Sequence, residues 1–434
     1  MSPPDPNGEV GPNNFVEMTN LTFSIYDKTG TVLVPPTELG ALWAGFSLPD
    51  CTDNSGDPIV VYDQLADRWL LTQFTTRGPT YYNCVAISTS GDPTGTYYRY
   101  AFSTGTNFPD YPKYGGWPNA NFIATREFGA VDFFGVGVGA YALERSRMIA
   151  GDPNARVVHV NLPPGNTPYL PGDGLLPTDF DGTTLPPAGS PNYYVGTQDD
   201  NGPYGAPYDA INMWAFLVRW GNTPFGSFQR IAQLRVANFD SAFPCGASGR
   251  ACIAQPDTNN KIDVLSYRQR PIWRLAYRNF GTYESLVTNQ SVEARPGIAG
   301  VRWYEIRNPL RAPQVYQQGT FAPNDGVNRW MGSVAMDKFG NMAAGYSVSS
   351  STVFPGVRYV GRTAGSPRGE LPLGEQSLIE GSGSQTGSPR WGDYTALTVD
   401  PTDDCTFWYV NEYIQTTGSV PWQTRIGSFK FPGC

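Results

Sequence analysis

The 434-residue chain carries 38 acidic and 30 basic residues, for a net charge of −8 and a pI near 4.8. That balance excludes a broad electrostatic grip on nucleic acid. Aromatics reach 14% and charged residues only 16%, with 49 glycines and 39 prolines, which favours strands and turns over long helices; no run of 18 apolar residues predicts a membrane-spanning helix.

The opening "MSPPDPNGEV" lacks a basic segment followed by an apolar one, so a signal peptide is expected to be absent or already removed. Strand signals then recur in seven units. They span 9–36, 57–103, 113–162, 175–236, 272–321, 329–380 and 390–431. In the second unit "GDPIVVYDQLADRWLLTQF" alternates, turns and alternates again. The third contains "ARVVHVNLP" around the lone histidine, His159, expected to be a strand residue with a satisfied imidazole. It also holds the best helical candidate, "AYALERSRMIAG" (140–151), at most a short turn after a strand. The sixth opens "RWMGSVAMDKFGNMAAGYSVSS" and the seventh "RWGDYTALTVDPTDDCTFWYVNEY". The seventh shows three clear strands, so residues before Glu9, or a strand from elsewhere, are expected to complete it.

Four short strands per unit of about 60 residues predict an all-β chain forming one domain over 1–434, a seven-bladed β-propeller. A six-bladed propeller or tandem β-sandwiches are the alternatives. Six cysteines without a CxxC favour disulfides over zinc. In this layout Cys51 and Cys84 share one end of the second blade, and Cys405 and Cys434 share one end of the seventh. Cys245 and Cys252 sit in one loop, so 51–84, 245–252 and 405–434 are the expected pairs. Oxidised cysteines imply a secreted or cell-surface location.

The segments "DPNGEVGPNNFVEM", "GDPIVVYDQLADRWLLTQF", "GDPTGTYYRYAF", "DYPKYGGWPNA", "YRNFGTYESLVTN", "GVRWYEIRN", "MGSVAMDKFGNMAAGYSVSS" and "RWGDYTALTVDPTDDCTFWYVNEY" cover nearly the whole chain. Through them the chain resembles a family of uncharacterised secreted bacterial propeller-like proteins. The resemblance implies an exported module, often part of a larger extracellular protein, and brings no catalytic residues with it.

The connections between units are long and the turns inside them short ("DQLADR", "DKFGN", "DPTDD"), so the face carrying the connections is the expected binding face. Lys113, Trp330, Trp391 and Asp393 are placed on it. Arg270 and Arg329 are each followed by glycine eleven residues later, Gly281 and Gly340; with Arg390 they form a candidate clamp for a carboxylate. Asp57 and Asp110 as acids and Tyr394 as nucleophile would complete a sialidase-like hydrolase or lyase for acidic carbohydrate, although the S-x-D-x-G-x-x-W motif is missing. Packing of the Arg-Trp pairs at blade junctions is the plainer expectation. The favoured function is therefore a non-enzymatic extracellular module. It would bind carbohydrate or protein, or assemble with itself into oligomers or filaments, with no nucleic acid and no membrane span; the glycoside hydrolase is the alternative. Calcium is the expected cofactor, on Asp5, Asn7 and Glu9 or on Asp50, Asp53 and Asp57, although such residues are also ordinary turn formers. Asn20 and Asn289 head glycosylation sequons.

Overall fold

A computed structural model describes residues 1–129, 135–242, 249–264 and 269–434. Strands take 51% of the chain and helix 3%, so the core is built from sheet on sheet. The sheets are consecutive antiparallel meanders over residues 7–38, 60–105, 107–162, 176–235, 272–321, 328–379 and 396–429. Six have four strands and the last has three. Asn7–Val10 belongs to the opening meander, paired with Asn14–Thr19, and so does not complete the last one.

The leading strands of these meanders are Asn7–Val10, Val60–Asp63, Asn107–Trp117, Leu176–Asp181, Ile272–Asn279, Asn328–Met336 and Ala396–Val399. Each touches the next in order, and Ala396–Val399 returns to Asn7–Val10, so they close a ring. The fourth and fifth are close enough to pair as parallel strands, from Thr178 opposite Leu275 to Asp181 opposite Arg278. This is the architecture of a propeller-like fold, with leading strands at the centre and last strands at the rim.

Ring position explains the hydropathy of the strands. Central strands have sheet on both faces, so VVYD at 60–63 and ALTV at 396–399 are buried throughout. Rim strands such as Val32–Glu38 and Phe225–Arg235 are mostly exposed or half-buried. The one α-helical turn among the described residues, Arg145–Ile149, follows the strand Gly135–Leu143, within the expected candidate. His159 stacks on Tyr141 and lies 3.1 Å from Glu127, a satisfied strand residue as expected.

Disulfides join Cys51 to Cys84 and Cys405 to Cys434, the expected pairs. Cys245, and with it the third pair, lies outside the described residues. Among the described residues no helix is long and apolar enough to cross a membrane.

Candidate functional site

The connections and the starts of the leading strands meet round a cavity of about 200 Å3, lined mainly by charged side chains. Asp5, Asp57, Asp110 and Asp393 face Arg126, Arg250, Arg270 and Arg390 across it. Charges separated by hundreds of residues are neighbours because the ring carries successive strands around one axis.

A shared backbone device aims the residues of the opening three meanders. Asp5, Asp57 and Tyr111 all have left-handed backbones, with φ of 48°, 40° and 54°, and each precedes a proline. Left-handed non-glycine residues cost about 1–3 kcal/mol each and cluster at functional sites. At Tyr111 the pairing with the next strand skips between Ala124 and Arg126, a bulge that sets Asp110 opposite Arg126. Asn20, in the tight turn after Asn14–Thr19, ties two of the acids together. Its amide nitrogen donates to Asp5 Oδ2 at 2.5 Å, and its oxygen accepts the Asp57 backbone N–H at 3.0 Å. Asp5 Oδ1 in turn accepts the Asp393 backbone N–H at 2.6 Å.

Crowding these carboxyls in a dry cavity makes ionisation costly. Burial, then Asp393 and Asp57, hold the Asp5 carboxyl well above its usual range. Burial, then Asp110 and Asp393, push Asp57 up to about 7. Burial also raises Asp110, against the opposing pull of Arg126 and Arg270. Behind the wall, the Lys113 Nζ sits 3.1 Å from the centre of the Tyr111 ring and 3.5 Å from that of Tyr394. Burial, then Arg270, drive the Lys113 ammonium well below its usual range.

Arg270 stands apart from the other cations. Its guanidinium stacks on Tyr111 at 3.5 Å, and among the described residues no carboxylate or carbonyl takes its N–H groups. Arg126 pairs with Asp173 at 2.8 Å, Arg250 with Asp263 at 2.6 Å and Arg390 with Asp393 at 3.0 Å. A planar, stacked and unpaired guanidinium lining a cavity is suited to gripping a carboxylate.

The structure thus brings together Arg270, Arg390, Asp57, Asp110 and Tyr394, and adds Asp5, Asp393 and Lys113. Arg329 is not among them. It is fully buried and bonded to Asp325 and Glu375, so the three-arginine clamp is corrected to two. Tyr394 is also recast: it is fully buried, donates its hydroxyl to Asp57 Oδ2 at 3.1 Å, and burial followed by Asp57 raises it further from ionisation. It orients an acid and is not an exposed nucleophile. Trp330 and Trp391 leave the binding face, since both are buried in one cluster with ring centres 5.5 Å apart. Lys113 is buried behind that face as well.

The two expected calcium triplets do not assemble. Asn7 spends its amide on the Pro58 carbonyl and the Val60 N–H. Glu9 lies one layer deeper, beside Arg274, Asp179 and Asp181. Asp53 pairs with Arg77, while Asp57 is in the central cavity. Three carboxylates gather instead at Asp199, Asp200 and Asp209, but Asp199 and Asp209 already accept backbone N–H groups from Ser241, Asp200 and Phe239. Neither sequon asparagine is displayed to solvent for modification: Asn20 is used internally as above, and Asn289 is fully buried.

No protein-family model and no curated protein sequence matches the chain. Solved structures similar to it include the Trypanosoma rangeli sialidase in complex with the inhibitor DANA, at 9% identity and a TM-score of 0.38. That match covers 94% of this chain and 57% of the sialidase. The Cellvibrio cellulosa alpha-L-arabinanase matches at 9% identity and a TM-score of 0.32, covering 82% of this chain and 90% of that one. The WD40 domain of SCAP from fission yeast matches at 9% and 0.36, covering 97% and 81%. At these values the likeness is one of fold. The favoured non-enzymatic module is nonetheless corrected. The pocket of acids and arginines that the alternative required is formed, with Arg329 left out.

Proposed function

We propose that the chain is an exported glycoside hydrolase acting on acidic carbohydrate at the central cavity. The observation that carries this reading is Arg270, a cavity-lining guanidinium stacked on Tyr111 and without a hydrogen-bond or ion-pair partner among the described residues, beside Asp57, whose carboxyl is pushed up to about 7. Arg270 supplies the anchor for a sugar carboxylate, with Arg390 across the cavity. Asp57, protonated near neutrality and oriented by Tyr394, supplies the general acid. Asp110, raised by burial against the opposing pull of Arg126 and Arg270, supplies the base.

The chemistry then balances as a hydrolysis. Asp57 gives its proton to the glycosidic oxygen as the bond to the anomeric carbon breaks. Water attacks that carbon and loses a proton to Asp110, and the alcohol leaves carrying the proton of Asp57. The two disulfides support an oxidising, extracellular setting.

The test is fluorescence release from aryl uronides and aryl sialosides, with neutral aryl hexosides as controls. Only the acidic substrates are expected to turn over. Asp57→Asn and Asp110→Asn should each lower kcat about 100- to 10,000-fold, the usual span for acid–base groups. Arg270→Gln should raise KM for the acidic substrate about 10- to 100-fold, matching the loss of a charged hydrogen bond. Turnover of no acidic glycoside, or full turnover by Asp57→Asn, would overturn the reading.

A further inference from the structure

A second cavity, of about 250 Å3, opens beside the central one, and Arg126 lines both. Its walls come from the connection before the fourth meander, at Pro164, Pro168 and Pro171, and from Gly135 and Tyr204. Arg126 stands between the cavities in a fixed pose: Asp173 pairs with it at 2.8 Å, and Asp173 is held by the Tyr204 hydroxyl at 2.8 Å. The backbone N–H of Asp173 bonds the Gln269 carbonyl, which couples this wall to the residue before Arg270.

Each cavity alone is smaller than the roughly 300–1,000 Å3 of a usual small-molecule site, but the two together fall inside that range. Their chemistry differs. The central cavity is lined mainly by charged side chains, whereas proline, glycine and tyrosine supply much of the second, giving C–H-rich surface with a few polar groups. Glu127 also lines it, but Tyr141, His159, Asn107 and Asn161 already occupy both of its oxygens. It shapes the wall, while Arg126, Asp173 and Tyr204 supply the polar contacts.

We infer that the second cavity is a subsite for the neighbouring sugar of an acidic oligosaccharide, so that the substrate is a chain lying across Arg126 and not a lone terminal sugar. This rests on the hydrolase reading of the central cavity. It identifies a class of substrate, an oligomer of acidic sugars, and a residue pair, Arg126 with Asp173, that sets the spacing between units.

Gly135 provides the test. It lines the second cavity and not the central one, and a Cβ built there meets nothing within 4 Å among the described residues, so Gly135→Leu adds bulk at the second cavity alone. The inactive Asp57→Asn variant is titrated with galacturonic acid and trigalacturonic acid, and with N-acetylneuraminic acid and its α2,8-linked trimer. The oligomer of the recognised sugar is expected to bind at least tenfold tighter than its monomer. Adding Gly135→Leu should abolish that gain and leave monomer affinity within about twofold. A gain from length that survives Gly135→Leu, or no gain at all, overturns the subsite alone. Failure of every monomer and oligomer to bind overturns the central reading, and the subsite falls with it.

Discussion

Asp57 shows how one residue links the site to the stability of the fold. Its carboxyl ionises near 3.8 when unperturbed and at about 7 in the folded protein, because burial and the neighbouring acids Asp110 and Asp393 resist a further negative charge. A raised carboxyl holds its proton more tightly in the folded state. Its contribution is therefore fully present below about pH 4 and is lost as pH rises through about 7. Thermal melts should show stability falling from pH 5 to pH 8. Asp57→Asn, which keeps an acceptor for the Tyr394 hydroxyl, should flatten that slope; an equally steep slope in the variant would remove Asp57 as its source. Arg329 makes the opposite case. Its two carboxylate partners, Asp325 and Glu375, mark it as an internal tie, so Arg329→Ala should cost about 3–5 kcal/mol in urea unfolding and leave kcat unchanged. Trp391→Ala should cost a similar 3–5 kcal/mol through the cavity it leaves.

At the scale of single elements, the disulfides hold segments that regular pairing does not. Cys51 sits in the 3-10 turn Pro49–Thr52 of a long connection and fixes it to the strand Tyr81–Ser88. The Cys51→Ala/Cys84→Ala double variant should lose about 2–5 kcal/mol, read by denaturant unfolding, and a smaller loss would mean that the connection holds by packing alone. Most elements were legible in the sequence because alternation and short Asp/Gly turns are local signals. The strand Asn107–Trp117 was not seen to its full length: the bulge at Tyr111 and Pro112 interrupts its pairing and hides its first residues. The same local signals give three strands in the last meander, as the structure has; the fourth was expected from the four-strand repeat, and Asn7–Val10 does not supply it. The left-handed backbone before proline at Asp5, Asp57 and Tyr111 was not legible, because a residue before proline is ordinarily extended and the same "DP" at Asp92, Asp152 and Asp400 is not left-handed.

The whole molecule decides which charges become a site. Ring closure gathers side chains from the starts of several leading strands, so Arg270, Arg390, Asp57 and Asp110 could be proposed from their places at such starts. The same rule failed for Arg329, because Glu375, on the connection before the last strand of its own meander, and Asp325 capture the guanidinium before it can face the axis. Arg126 and Arg250 were missed because one lies in a second strand and the other in a connection, where no periodic signal marks them. Asn20 was read as a sequon, although its side chain bridges two acids of the cavity. The most direct measurement of the central claim is calorimetric binding by Asp57→Asn of the preferred acidic sugar and of its methyl ester, each repeated with Arg270→Gln added. The acid should bind about 10- to 100-fold tighter than the ester, and Arg270→Gln should erase the difference. Equal affinity for acid and ester, or a preference that survives the loss of Arg270, would contradict the assignment of this cavity to acidic carbohydrate.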